Sequence, residues 1–228
     1  LGTFPFNHIP QGLVKKVKRE AIYNIPINRV DYLEELKSRD FFKLYQIGNE
    51  RAYNVSPDNP RASFIISRYA EAHNDMAVAY NYLSELDDAI KECKKALEIK
   101  PNFAEGFNNL GSIYLRKNLI DDAIWSFEKA IQCEPDHAEA HNNLGSAYGW
   151  IGQNHLAMAE FRKAVHIRPD YVDARFNLAT GLGMLEGQYD RAISELELCI
   201  KLQPNVQYRE EIERWIGVFK MKKEEVPK

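Results

Sequence analysis

Residues 138–152 read AEAHNNLGSAYGWIG and residues 104–118 read AEGFNNLGSIYLRKN, nearly the same phrase 34 residues apart. Extending that register in both directions aligns four segments: 70–103, 104–137, 138–171 and 172–206. The first three have 34 residues, and the fourth has one more, assigned to its 184–188 stretch MLEGQ. A fixed period of this size marks stacked supersecondary units, none of which buries its apolar face alone.

The recurring places have a physical logic. A large apolar residue at the seventh place (Met76, Leu110, Leu144, Leu178) is followed by a small one (Ala77, Gly111, Gly145, Ala179). Three further on stand Tyr80, Tyr114, Tyr148 and Leu182. This spacing is one face of a first helix, and the small residue admits a second helix at close range. The second half of each segment repeats the device with Ala89, Ala123, Ala157 and Ala192. Four on come Cys93, Phe127, Phe161 and Leu196, then Ala96, Ala130, Ala164 and Cys199. Each second helix is predicted to stop at a proline (Pro101, Pro135, Pro169, Pro204), which restricts the residue before it and cannot continue a helix.

Over about residues 70–206 this pattern resembles the tetratricopeptide repeat (TPR) family. Two departures stand out: His73, His141 and Arg175 occupy a fourth place that is usually aromatic, and two cysteines sit at packing positions. The resemblance implies an all-α fold, a right-handed α-solenoid of antiparallel helix pairs (a TPR superhelix) whose first helices line a concave groove. It also implies a non-catalytic scaffold that binds an extended or helical segment of a partner protein. In this family ligands lie against the second, fifth, sixth, ninth, twelfth and thirteenth places. The superhelical part of O-linked N-acetylglucosamine transferase, which the segment resembles, holds peptide backbone with asparagines. Here the fifth place carries Asn74, Asn108, Asn142 and Phe176, and the sixth carries Asp75, Asn109, Asn143 and Asn177. An amide both donates and accepts, which suits backbone. The thirteenth place holds Tyr82, Arg116, Trp150 and Met184, large side chains of the kind that concentrate interface energy. The residues expected to contact a partner are therefore Asn74, Tyr82, Asn108, Asn109, Arg116, Asn142, Asn143, Trp150, Phe176 and Asn177. Acids at the second place (Glu71, Glu105, Glu139, Asp173) begin helices, where the dipole favours a carboxylate. Chaperone-tail-binding members clamp a C-terminal carboxylate with groove lysines and arginines, and that set is absent here.

Outside the repeats, Tyr208, Ile212, Trp215, Ile216 and Phe219 form one apolar stripe, predicting a capping helix within 207–228 before a frayed tail. Residues 31–69 are predicted as a helical N-terminal cap or degenerate repeat, and the first helix of the first clean repeat is expected to begin near Pro60. Residues 1–30, with Pro5, Pro10 and Pro26 between apolar patches, read as an extended arm. Net charge is −3 over 228 residues, yet the arm's Lys15, Lys16, Lys18, Arg19 and Arg29 against Glu20 give it +4, leaving −7 for the rest. A basic arm on an acidic body is expected to dock. This supports an alternative, a structural subunit held by its arm in a larger, membrane-associated or homo-oligomeric complex. Beginning with Leu1 rather than Met fits a processed form or the interaction module of a longer enzyme, with room for an upstream signal or anchor.

No chemistry is signalled. GxGxxG, GxxxxGK[ST] and GxSxG do not occur, and neither catalytic residues nor a cofactor is expected. His137 and His141 are four apart, but His137 falls in an inter-repeat turn with no third ligand near in sequence, so no metal is expected. An acidic repeat body argues against nucleic acid, and no apolar run reaches the roughly 18 residues of a membrane span. Cys93, Cys133 and Cys199 form no CxxC and lean towards a reducing, cytoplasmic setting.

Overall fold

A computed structural model of the chain describes residues 60–225; the predicted arm (1–30), most of the predicted N-terminal cap (31–69) and the last three residues lie outside the described residues. Among the described residues there are nine α-helices and no strands. They are α1 (Pro60–Leu83), α2 (Leu86–Ile99), α3 (Ala104–Arg116), α4 (Ile120–Cys133), α5 (Ala138–Trp150), α6 (Asn154–Ile167), α7 (Val172–Met184), α8 (Tyr189–Leu202) and α9 (Arg209–Glu225). They fall in two compact units, one ending at Glu134 and the other continuing from Pro135. The expected all-α fold of consecutive helix pairs is what the chain adopts, and α1 begins at Pro60.

Local chemistry sets the boundaries. The residues before the four prolines, Lys100, Glu134, Arg168 and Gln203, are the C-caps of α2, α4, α6 and α8, with φ between −129° and −141°. Proline's ring forces this extended backbone on its predecessor. Between the helices of each pair the chain turns through one left-handed residue at a constant place: Ser84 (φ 65°), Asn118 (59°), Gly152 (74°) and Gly187 (64°). Glycine adopts this conformation without penalty and asparagine tolerates it, so Ser84 is the costly member. The extra residue of the fourth repeat lies in the α7–α8 turn, which takes residues 185–188 where the α5–α6 turn takes 151–153.

In the first unit α1 packs on α2, α2 on α3 and α3 on α4. In the second, α5 packs on α6, α6 on α7, α7 on α8, and α9 closes against α8 and α7. Within each pair the small eighth-place residue faces the packing residue of the second helix, and their sizes are matched. A Cβ on Gly111 would stand 2.6 Å from the Phe127 ring, and one on Gly145 would stand 2.7 Å from Phe161. Where the eighth place is alanine instead, its counterpart is smaller: Cys93 for Ala77 and Leu196 for Ala179, each pair inside one buried cluster. Burial pushes the Cys93 and Cys199 thiols up to about 12, so both behave as small apolar groups. The capping helix uses the same device, its fully buried Phe219 lying under Gly183 of α7.

Two substitutions test this packing. Gly145→Ala, which in an open helix would stabilise, is expected to cost about 1–3 kcal/mol because Phe161 and the Ala157 carbonyl enclose the site. Gly217→Ala, with nothing within 4 Å, is expected to gain about 0.5–1 kcal/mol. Urea denaturation of both variants checks the pair, and a stabilised Gly145→Ala would refute the close crossing. Separately, Asn154 stands where the other repeats have Leu86, Ile120 and Tyr189, and its Oδ1 is buried without a hydrogen bond. Asn154→Ile is expected to raise stability by about 1 kcal/mol, read from the shift of the same unfolding midpoint.

Candidate functional site

Seven residues along a helix is almost two turns, so the sixth and thirteenth places of each first helix share a face about 10 Å apart. At the sixth place Asp75 is exposed and Asn109, Asn143 and Asn177 are half-buried. At the thirteenth, Tyr82, Trp150 and Met184 are 38%, 39% and 38% exposed, large values for side chains of this size. Their chain neighbours Ile151 and Leu185 are exposed too, so in the second unit the ends of α5 and α7 both carry open apolar surface.

The fifth place behaves differently. Asn74 and Asn142 are 2% and 1% exposed, and Asn108 is also buried. Asn109 Nδ2 donates to Asn74 Oδ1 at 2.9 Å, and Asn177 Nδ2 donates to Asn142 Oδ1 at 2.9 Å. Each bond ties a first helix to the first helix of the repeat before it. Phe176 is buried with its ring edge-on to Tyr208 at 5.3 Å, part of the seat of the capping helix. Arg116 turns its guanidinium onto the Asn81 carbonyl and side chain and onto Ser84 Oγ, the last at 3.1 Å, bracing the strained α1–α2 turn. Of the ten residues expected to touch a partner, then, Tyr82, Trp150 and the sixth-place asparagines reach the surface. Asn74, Asn108, Asn142 and Phe176 lie inside, and Arg116 is engaged by its own unit.

The second-place acids are similarly engaged. Glu71 accepts from Ser67 and Arg68, Glu105 from Asn74, Glu139 from Arg168, and Asp173 from the Tyr208 hydroxyl.

The fourth-place departures form a recurring buried latch. His73 Nδ1 lies 2.6 Å from Glu92 Oε2, and His141 Nδ1 lies 2.5 Å from Glu160 Oε2. Lys95 and Lys163 hold the other oxygen of each carboxylate at 2.8 Å. Arg175 reaches Glu195 in the same manner. His141 Nε2 also meets the Pro135 carbonyl at 2.9 Å, and Arg175 bonds the Pro169 carbonyl. The second repeat has no such pair: Phe107 packs edge-on to Trp125 at 5.9 Å, and Ser126 stands where the acid would be. Because both nitrogens of His141 face acceptors, both carry protons and the ring is an imidazolium. The Glu160 bond raises its pKa above 6.5. For Glu160, burial pushes the pKa up, but the bonds from His141 and Lys163 outweigh it and hold the carboxyl below 4.5. With both ring nitrogens occupied, His141 has no lone pair for a metal, and no three His, Cys, Asp or Glu side chains converge as a metal site among the described residues.

Known proteins resemble this chain as follows. Models described as tetratricopeptide repeat match residues 70–103, 92–124, 138–171 and 172–206, and one described as TPR repeat matches 112–149; jointly they span 70–206. No curated protein matches. Among solved structures, YrrB, a TPR protein with an unusual peptide-binding site, is 25% identical with a TM-score of 0.55, over 68% of this chain and 78% of that one. MamA is 27% identical with a TM-score of 0.51, over 65% of this chain and 94% of that one.

The latch makes stability depend on pH. The raised His141 pKa contributes fully below 6.5 and is lost as pH rises through the folded value. The depressed Glu160 pKa contributes above 4.5 and is lost as pH falls through its folded value. Melting temperature is therefore expected to fall as pH rises from 6 to 9. The double variant His141→Phe, Glu160→Ser, which copies Phe107 and Ser126, is expected to flatten that slope. Parallel slopes in thermal melts of the two proteins would disprove the assignment.

Proposed function

Because the chain belongs to the tetratricopeptide repeat family, a fold that is in general a non-catalytic interaction module, we propose that it is a scaffold holding an extended or helical segment of a partner protein against its first helices. The observation that carries this reading is the exposure, at the thirteenth place, of Tyr82 in the first unit and of Trp150 and Met184 in the second, each two turns from the sixth-place residue of its own helix (Asp75, Asn143 and Asn177). On the first helices of each unit, a large exposed side chain and a polar sixth-place residue offer apolar anchorage and hydrogen bonding. The likeness to YrrB supports a peptide ligand. Asn74 and Asn142 serve this face from behind by tying neighbouring first helices within each unit, and Phe176 packs on Tyr208 beside the capping helix.

Phage-displayed random 12-residue peptides selected on the chain test the reading. Trp150→Ala is expected to weaken the selected peptides at least tenfold, about 1.4 kcal/mol, while helical circular dichroism and melting temperature stay unchanged. Selected peptides that bind both proteins equally would sink the proposal.

A further inference from the structure

We propose that the outer face of α4, centred on Trp125, is a docking surface for a basic segment of a partner protein, which lays an arginine side chain on the indole. This face belongs to a second helix, so the inference stands apart from the reading of the first helices.

Tryptophan is foreign to its place in the repeat, where the other three segments have Lys91, Ala159 and Ser194. Part of the reason is local. The second repeat lacks the latch, and Trp125 covers Phe107 with the two rings edge to face at 5.9 Å. Ser126, beside it, is fully buried and donates to the Asp122 carbonyl. Covering Phe107 uses only part of the indole. Trp125 remains 51% exposed, more than Tyr82 or Trp150. Tryptophan carries much of the binding energy where protein surfaces meet, and an open indole on a regular helix is a rigid anchor.

The charges around the ring define the partner's chemistry. Asp121 and Asp122, both exposed, lie in the first turn of α4, four and three residues before Trp125. That spacing puts their Cβ atoms about 5–6 Å from its own, on the side to which helical side chains lean. From the other side Lys129 Nζ stands 5.8 Å from the ring centroid and donates to Gln132 Oε1 at 2.8 Å, so the indole already attracts one cation. Asp121 shows what is missing. The same place is held by Asp87 in the first repeat, which bonds Lys117, and by Asp190 in the fourth, which bonds Lys223. Asp121 has no such lysine among the described residues, and where the second repeat supplies Lys117 the third has Ile151. Arginine supplies the absent charge and uses the ring as well. Its flat guanidinium stacks on an indole while its N–H fork fits a carboxylate, which an ammonium does less well. Glu128 adds a third carboxylate to the stripe against the single Lys129, so an acidic segment is repelled.

The test titrates the full chain, labelled with nitrogen-15, with acetylated, amidated decapeptides of alternating Arg–Ala, Lys–Ala and Glu–Ala. The Trp125 indole N–H, identified by its loss in Trp125→Phe, is expected to shift saturably with Arg–Ala. Its affinity is expected to exceed that for Lys–Ala, and to exceed that for Glu–Ala by about tenfold. Asp121→Asn with Asp122→Asn leaves the indole on Phe107 and is expected to weaken Arg–Ala by about fivefold at that resonance. Trp150→Ala is expected to leave the same titration unchanged. An unmoved Trp125 resonance, a Lys–Ala or Glu–Ala response equal to that of Arg–Ala, or full binding by the aspartate variant would overturn the inference. So would loss of the response in Trp150→Ala, or a Trp125 resonance that shifts when the chain alone is diluted, which would assign the surface to a second copy.

Discussion

The close crossing of the two helices in each pair is the contact on which the other features depend. A glycine on the first helix lets a phenylalanine of the second lie flat against its backbone, as Gly111 does for Phe127 and Gly145 for Phe161. Interiors packed at crystal-like density leave no room for both partners to be large. That is why the repeats with alanine at the eighth place carry cysteine or leucine opposite it. The size of one residue is set by its counterpart sixteen or seventeen positions along the chain. Fixing that distance also fixes the neighbours. With the helices of a pair this near, the fourth-place His141 reaches Glu160 on the second helix.

Polar residues in the repeats hold the helices at two levels. Within a pair, the base at the fourth place and the acid on the second helix form a buried, hydrogen-bonded latch. A buried charge without a partner is costly, so both members are present together in the first, third and fourth repeats and both are replaced in the second. Within each unit, the fifth and sixth places join one first helix to the next through an amide bond. The first-helix face is what these ties leave over. At its thirteenth place Tyr82, Trp150 and Met184 are exposed, whereas Arg116 is engaged by its own unit.

Much of the fold was legible in the chain because its determinants are local. The 34-residue period, the small-after-large doublets and the four prolines fix where helices start, stop and cross, and each acts within one or two turns. The apolar stripe from Tyr208 to Phe219 announced the capping helix in the same way. The candidate site was less legible. The doublets Asn108–Asn109 and Asn142–Asn143 look like two equivalent amides on one helix, yet a rotation of 100° per residue sends the first inward and leaves the second at the rim. Arg116 and Trp150 share a place in the repeat, but a serine in a left-handed turn lies within reach of one of them and occupies it.

By itself, then, the sequence determined the repeat, its helix boundaries and the family to which it belongs, since periodicity, chain breakers and side-chain size are properties of neighbouring residues. The tertiary structure decided which polar groups are already engaged and by which neighbours. A hydrogen bond is directional, so how much of an asparagine is left to a ligand depends on the groups that another helix has placed against it.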